Sequence, residues 1–217
     1  MTQVTAFPTW DIPTRCFHWL LVICVFLSWL SHELEWHQVH RYSGYTVLVL
    51  VVFRLGWGVV GSAHSRFSDF VAGPARVWAY WRRGEWEGAG HNPAGGWSVL
   101  VLLLLLLVQA MTGLFNGDGL LFDGPFYHAL DSSWIDQLGE LHEQVFWVLL
   151  GFIGLHISAV AYQQFRRPRR NLLGPMFSGG EQGREAPVSP WRAVLLLALC
   201  AAALALAVYL APSPPVY

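Results

Sequence analysis

His142-Glu-Gln-Val-Phe-Trp-Val-Leu-Leu-Gly-Phe-Ile-Gly-Leu-His156 is an apolar run bracketed by two histidines fourteen residues apart. In an α-helix that separation rises ~21 Å and returns to within about 40° of a whole number of turns. Both imidazoles therefore fall on one face of one membrane-crossing helix, one toward each side of the bilayer. Two more apolar segments open with a histidine, at His18 and His40.

The rest of the chain supports a membrane setting. It has 217 residues, 54% of them hydrophobic, and Trp97 to Ala110 is almost uninterrupted Leu and Val. Five stretches are long enough to cross: roughly Phe17 to Leu30, Tyr42 to Gly61, Trp97 to Phe115, Val145 to Tyr162 and Trp191 to Leu210. Starting the first helix near Pro13, a residue suited to a first helical turn, gives it ordinary length. The three cysteines lie in or beside apolar segments, and no C-x-x-C-H occurs, so covalent haem attachment and thiolate clusters are not encoded. The polar start, Met1 to Pro13, lacks the basic region of a cleavable signal.

Net charge is −1, but its distribution is uneven, and every basic residue is arginine. Glu33 and Glu35 mark the first connection; Asp118, Asp123, Asp131, Asp136, Glu140 and Glu143 fill the third. The second holds Arg66, Arg76, Arg82 and Arg83, and the fourth Arg166, Arg167, Arg169, Arg170 and Arg184. Arginine excess marks the cytoplasmic side. The N-terminus is therefore expected inside and the C-terminus in the periplasm, in a bacterial inner membrane. Phe67, Phe70, Trp78, Trp81 and Trp86 alternate with the arginines of the second connection. That mixture fits an amphipathic interfacial segment broken at Gly73-Pro74, or an aromatic anchoring loop. Gly179 to Pro190 reads as a flexible linker.

Orientation assigns depth. His18 and His156 lie toward the cytoplasm, His40 and His142 toward the periplasm. Two opposed imidazoles at each level are the donor set of a six-coordinate haem iron, whereas zinc needs three or four ligands at one level. The expected fold is all-α: an integral membrane four-helix bundle binding two b-type haems, plus a fifth C-terminal transmembrane helix. Residues 1–170 form the di-haem domain, with spans at about 14–32, 41–61, 96–115 and 140–165. Residues 171–190 form a cytoplasmic linker and 191–211 the fifth helix.

Arg54 lies fourteen residues after His40 in an apolar run. Haem propionates would neutralise it, or it snorkels to headgroups. Arg15 has the same two options. Gly44, Gly151 and Gly154 leave room for a flat macrocycle, or for helix packing. His37 rivals His40 as a ligand, and His64 and His91 are loop histidines that could carry protons beside a quinone. Gln109 and Thr112 are polar in an apolar span; they suit a quinone pocket or interhelical hydrogen bonds.

At these residues the chain resembles the prokaryotic cytochrome b561 family, which includes the cytochrome b subunits of nickel–iron hydrogenases. The matching stretches are Trp10-Asp-Ile-Pro-Thr-Arg-Cys-Phe-His18-Trp-Leu, His40-Arg-Tyr-Ser-Gly-Tyr and Phe53-Arg-Leu-Gly-Trp-Gly. Gly61-Ser-Ala-His-Ser-Arg-Phe, Gly90-His-Asn-Pro-Ala-Gly-Gly, Leu141-His142-Glu and Leu155-His156 continue the order. The resemblance covers about residues 8–180. It implies a four-helix core, two haems on His18, His40, His142 and His156, and electron exchange with membrane quinone. The fifth helix and its linker depart from the family's short members.

The expected function is electron transfer between a periplasmic partner, a cytochrome c or an oxidoreductase subunit, and quinone or another carrier. The acidic stretch Asn116 to Gly139 is a candidate docking loop. The alternative is a self-contained superoxide- or ferric-reacting quinone oxidoreductase. Superoxide calls for a cationic funnel, and the periplasmic surface is acidic apart from Arg41 and the histidines. A histidine-based transporter would need intramembrane carboxylates, which the spans lack. Nothing in the composition points to nucleic acid.

Overall fold

The structure is a computed structural model that describes residues 7–83, 90–117, 119, 122–166, 171–183 and 185–212. Trp86, Asp118, Arg167, Arg169, Arg170 and Arg184 lie outside the described residues, as does the side chain of Arg166. The described residues form eight α-helices and one 3-10 turn, Tyr127–Ala129. They are α1 (Ile12–Glu33), α2 (His37–Val60), α3 (Phe67–Phe70), α4 (Pro74–Arg83), α5 (Pro93–Gly113), α6 (Ser132–Arg166), α7 (Leu173–Ser178) and α8 (Pro190–Tyr209). No strand occurs among the described residues, only two isolated bridges, Phe7 with Gly183 and Gly117 with Asp123. Helices α1, α2, α5, α6 and α8 are each long and apolar enough to cross a membrane.

The chain divides into two compact units, each built from parts of the five long helices. The first comprises Met1–His18, Arg54–Leu102 and Ile153–Leu196; the second comprises Trp19–Phe53, Leu103–Phe152 and Leu197–Tyr217. Half of the apolar stretch of α2 is buried inside the protein, against 6% for α6 and for α8. Helix α2 therefore supplies much of the core, through Val47, Leu48, Leu50, Val51, Phe53 and Trp57. Helices α6 and α8 leave rows of Leu, Ile, Val and Trp uncovered, a surface suited to lipid rather than water.

Local chemistry sets the helix ends. Asp11 caps α1, accepting a hydrogen bond from Thr14 N at 2.9 Å, with Pro13 in the first turn where its missing N–H costs nothing. Only Leu34 to Trp36 separate α1 from α2, and Glu35 adopts φ 55° to close the turn. Helix α6 begins at Ser132, not near 140, because Asp131 places a carboxylate at its N-terminus and Ile135 buries against the protein. The second half of the acidic third connection is thus helical, and His142 lies well inside α6 rather than at its start.

Helix α4 starts at Pro74, directly after the expected break. It exposes Trp78 and Trp81 and carries Arg76, Arg82 and Arg83, the amphipathic segment that the second connection suggested. Residues 171–190 carry α7 and several ties within the first unit. Gly183 N bonds to Phe7 O at 2.8 Å, Gln182 N to Thr9 Oγ1 at 3.1 Å and Val188 N to Ser62 Oγ at 2.9 Å. The start of α8 packs as well: Ala193 is buried, and Leu196 lies 3.1 Å from where a Cβ on Gly56 would sit.

Candidate functional site

His40 and His142 face each other in the second unit, with ring centroids 6.4 Å apart and ring planes crossed at 74°. Each ring is held through Nδ1 by a main-chain carbonyl. His40 Nδ1 donates to Ser28 O at 2.9 Å across the α1–α2 turn, and His142 Nδ1 donates to Gln109 O of α5 at 3.0 Å. A carbonyl only accepts, so Nδ1 carries the proton in both rings and Nε2 keeps its lone pair. Serines surround His40: Ser28 Oγ meets Ser43 Oγ at 2.7 Å, and Ser31 Oγ donates to Ser28 O at 3.1 Å. The Gln109 amide lies 3.0 Å from His142 Nε2, and Thr112 Oγ1 3.1 Å from its Nδ1. The two polar residues of the third span therefore make interhelical hydrogen bonds to a histidine.

His37, the rival of His40, is exposed and stacks on Phe122 at 5.7 Å. His32 lies 6.0 Å from His40, ring to ring. Arg41 sits over Phe122 and donates to Asp123 O at 3.0 Å, while its buried Nε has no partner among the described residues.

The first unit gathers His18 of α1, His156 of α6, Arg54 of α2, and His64 and His91 from the connection between α2 and α5. His18 and His156 are close enough to interact electrostatically. Arg54 is only 2% exposed and lies over Phe67 at 5.1 Å and Phe70 at 5.8 Å, so it does not snorkel to solvent. Its Nη1 has no hydrogen-bond partner among the described residues. Asp11, the acidic group acting on it, already accepts from Thr14 N and from Trp57 Nε1, each at 2.9 Å.

His91 is wedged between Trp10, at 4.7 Å, and Phe70, at 4.6 Å. Burial pushes its pKa down to about 3, helped by the charges of Arg54, His156, His64 and His18. His91 is thus neutral near pH 7, and its shielded Nδ1 has no partner among the described residues. His64 is buried at φ 67° beside it, and Gly90, at φ 78°, allows the close approach. In the sequence both are loop histidines, with nothing local to place them beside Arg54. What brings them in is the folding of the connection onto α1, through Ser65 Oγ and Thr14 Oγ1 at 2.8 Å. Arg15 donates Nη1 to Phe177 O of α7.

The residues fit a haem on several counts. A metal–imidazole bond of about 2 Å, with the ring centre roughly 1 Å beyond its nitrogen, puts two opposed imidazoles ~6 Å apart, centre to centre. The His40–His142 separation meets that requirement, and Nδ1 bonds to carbonyls are the usual outer contacts of metal-bound histidine. The spare Nη1 of buried Arg54 suits a carboxylate. A Cβ on Gly44, Gly151 or Gly154 would meet nothing within 4 Å, so no helix packs closely there. Among the described residues, no three His, Cys, Asp or Glu side chains converge as a metal-ion cage requires.

The chain is 27% identical over 161 residues to a probable Ni/Fe-hydrogenase B-type cytochrome subunit of Rhizobium leguminosarum bv. viciae. The alignment covers 65% of this chain and 66% of that protein, just under two thirds of its length. No solved structure matches. The prokaryotic cytochrome b561 family profile matches residues 9–179, which span all of the histidines discussed above. The chain belongs to the prokaryotic cytochrome b561 family, as a multi-pass membrane protein.

Proposed function

We propose that the chain binds two b haems, one on His18 and His156 and one on His40 and His142, and passes electrons across the bacterial inner membrane. The arrangement that supports this most is the carbonyl-anchored pair His40 and His142, with ring centroids 6.4 Å apart. When bound, each haem supplies one-electron exchange between ferric and ferrous iron. The chain's own residues supply the rest. His40 and His142 hold their protons on Nδ1, which leaves Nε2 as the iron donor of each ring, that of His142 once the Gln109 amide releases it. Arg54 offers charge-assisted hydrogen bonds to propionates, as does Arg15 through the donors left free by its bond to Phe177 O.

In the orientation that arginine distribution favours, His40 and His142 face the periplasm. Electrons then run between a periplasmic partner and a quinone or another carrier. The hydrogenase-subunit relative makes a membrane-bound oxidoreductase the favoured partner class, ahead of a soluble cytochrome c. Proteoliposomes with trapped ferricyanide and external dithionite test this. Wild type should reduce the trapped oxidant, and His142→Ala and His156→Ala should each abolish the transfer. Equal rates in wild type and both variants would contradict the proposal.

A further inference from the structure

Three features of α5, at Gln109, Thr112 and Gly113, hold the His142 ring. Gln109 O takes its Nδ1 proton at 3.0 Å. Thr112, only 5% exposed, has one hydroxyl proton and two carbonyl acceptors, Val108 O at 2.9 Å and Gln109 O at 3.0 Å. That proton goes to a carbonyl, so the Oγ1 lone pair faces His142 Nδ1 at 3.1 Å. Gly113 completes the seat, since a Cβ there would stand 3.0 Å from His142 Cε1. The ring has a fixed tautomer and little freedom to turn.

We propose that Thr112 is a positioning residue for the His40–His142 haem, holding His142 as the Nδ1–H tautomer with its plane crossed against that of His40. The inference rests on the assignment of His40 and His142 as axial ligands. Two consequences follow from ligand chemistry. Hydrogen bonding at Nδ1 makes Nε2 a stronger donor, which favours ferric over ferrous iron. Crossed imidazole planes give a strongly anisotropic low-spin EPR signal, whereas parallel planes give a rhombic one.

The test is EPR and redox titration of the purified full-length protein. In wild type, one strongly anisotropic signal should be present and should vanish in His142→Ala. Thr112→Val keeps the side-chain shape but removes the hydroxyl. It should retain two haems per chain, reduce the anisotropy of that signal and raise that haem's potential, leaving the other haem unchanged. Thr112→Ser should restore both properties. Gly113→Ala leaves the hydroxyl in place but presses a methyl on the ring, and it should move the same signal. This arm stands even if the valine variant folds poorly.

Signals and potentials unchanged in Thr112→Val and Gly113→Ala would overturn the positioning role and leave the ligand assignment standing. A wild-type spectrum indifferent to His142→Ala would remove the assignment and the inference with it.

Discussion

Arg54 is a cation buried to 2% exposure in an apolar helix, and burying an unpaired charge costs several kcal/mol. Stacking over Phe67 and Phe70 returns about 0.5–2 kcal/mol, less than the cost, and Asp11 is already engaged by Thr14 and Trp57. Asp11 offsets part of that cost as the nearby anion, and the unpartnered Nη1 is the donor that the proposed haem carboxylate would take. Arg54→Leu should therefore lower one haem's midpoint potential by on the order of tens of millivolts, because losing a nearby positive charge favours the ferric form. Arg54→Lys should lower it less, and the second haem should stay put. Two unchanged potentials in a redox titration of Arg54→Leu would place Arg54 away from both haems. Sequence alone left Arg54 between two roles and His37 as the main rival to His40. Periodicity gives the face of a helix but not the neighbour it meets. In the structure the short α1–α2 turn brings Ser28 O within reach of His40 Nδ1, while His37 stacks on Phe122.

Among the elements, α2, α4 and α5 lie close to where hydropathy and the Gly73-Pro74 break put them, because those signals act within one segment. Helix α6 was harder to read. Its first two turns are polar and look like loop, yet Asp131 and the burial of Ile135 make them helical. The 171–190 tract looked like a free linker from its glycine and proline content. Its bonds to Phe7, Thr9 and Ser62 are long-range, and no local pattern encodes such ties. Helix α8, with no histidine and no charge after Arg192, still meets α2 where Leu196 faces Gly56. Gly56→Val forces methyl groups into that contact and should destabilise the protein by about 1–3 kcal/mol, the usual cost of overpacking. Gly56→Ala should be near neutral, since a gain of about 1 kcal/mol in helix propensity offsets the closer contact. Thermal unfolding in detergent, followed by circular dichroism, checks both; an unshifted midpoint for Gly56→Val would mean that α8 does not pack there.

The whole molecule combines five helices long and apolar enough to cross a membrane with His18 and His156 in one compact unit and His40 and His142 in the other. The five spans were legible because hydropathy is a one-dimensional signal, and the fourteen-residue spacing of His142 and His156 put both on one face of α6. The outer contacts, Ser28 O, Gln109 O and Thr112, and the gathering of His64 and His91 around Arg54, come from segments far apart in the chain, so they emerge only with the fold. The most direct measurement is haem quantitation by pyridine haemochrome spectra on purified protein, with wild type beside His142→Ala and His156→Ala. Two b haems per wild-type chain, with each variant losing the haem of its own pair, is the predicted result. A well-folded wild type with no haem, or variants that keep two, would contradict the assignment of the histidine pairs.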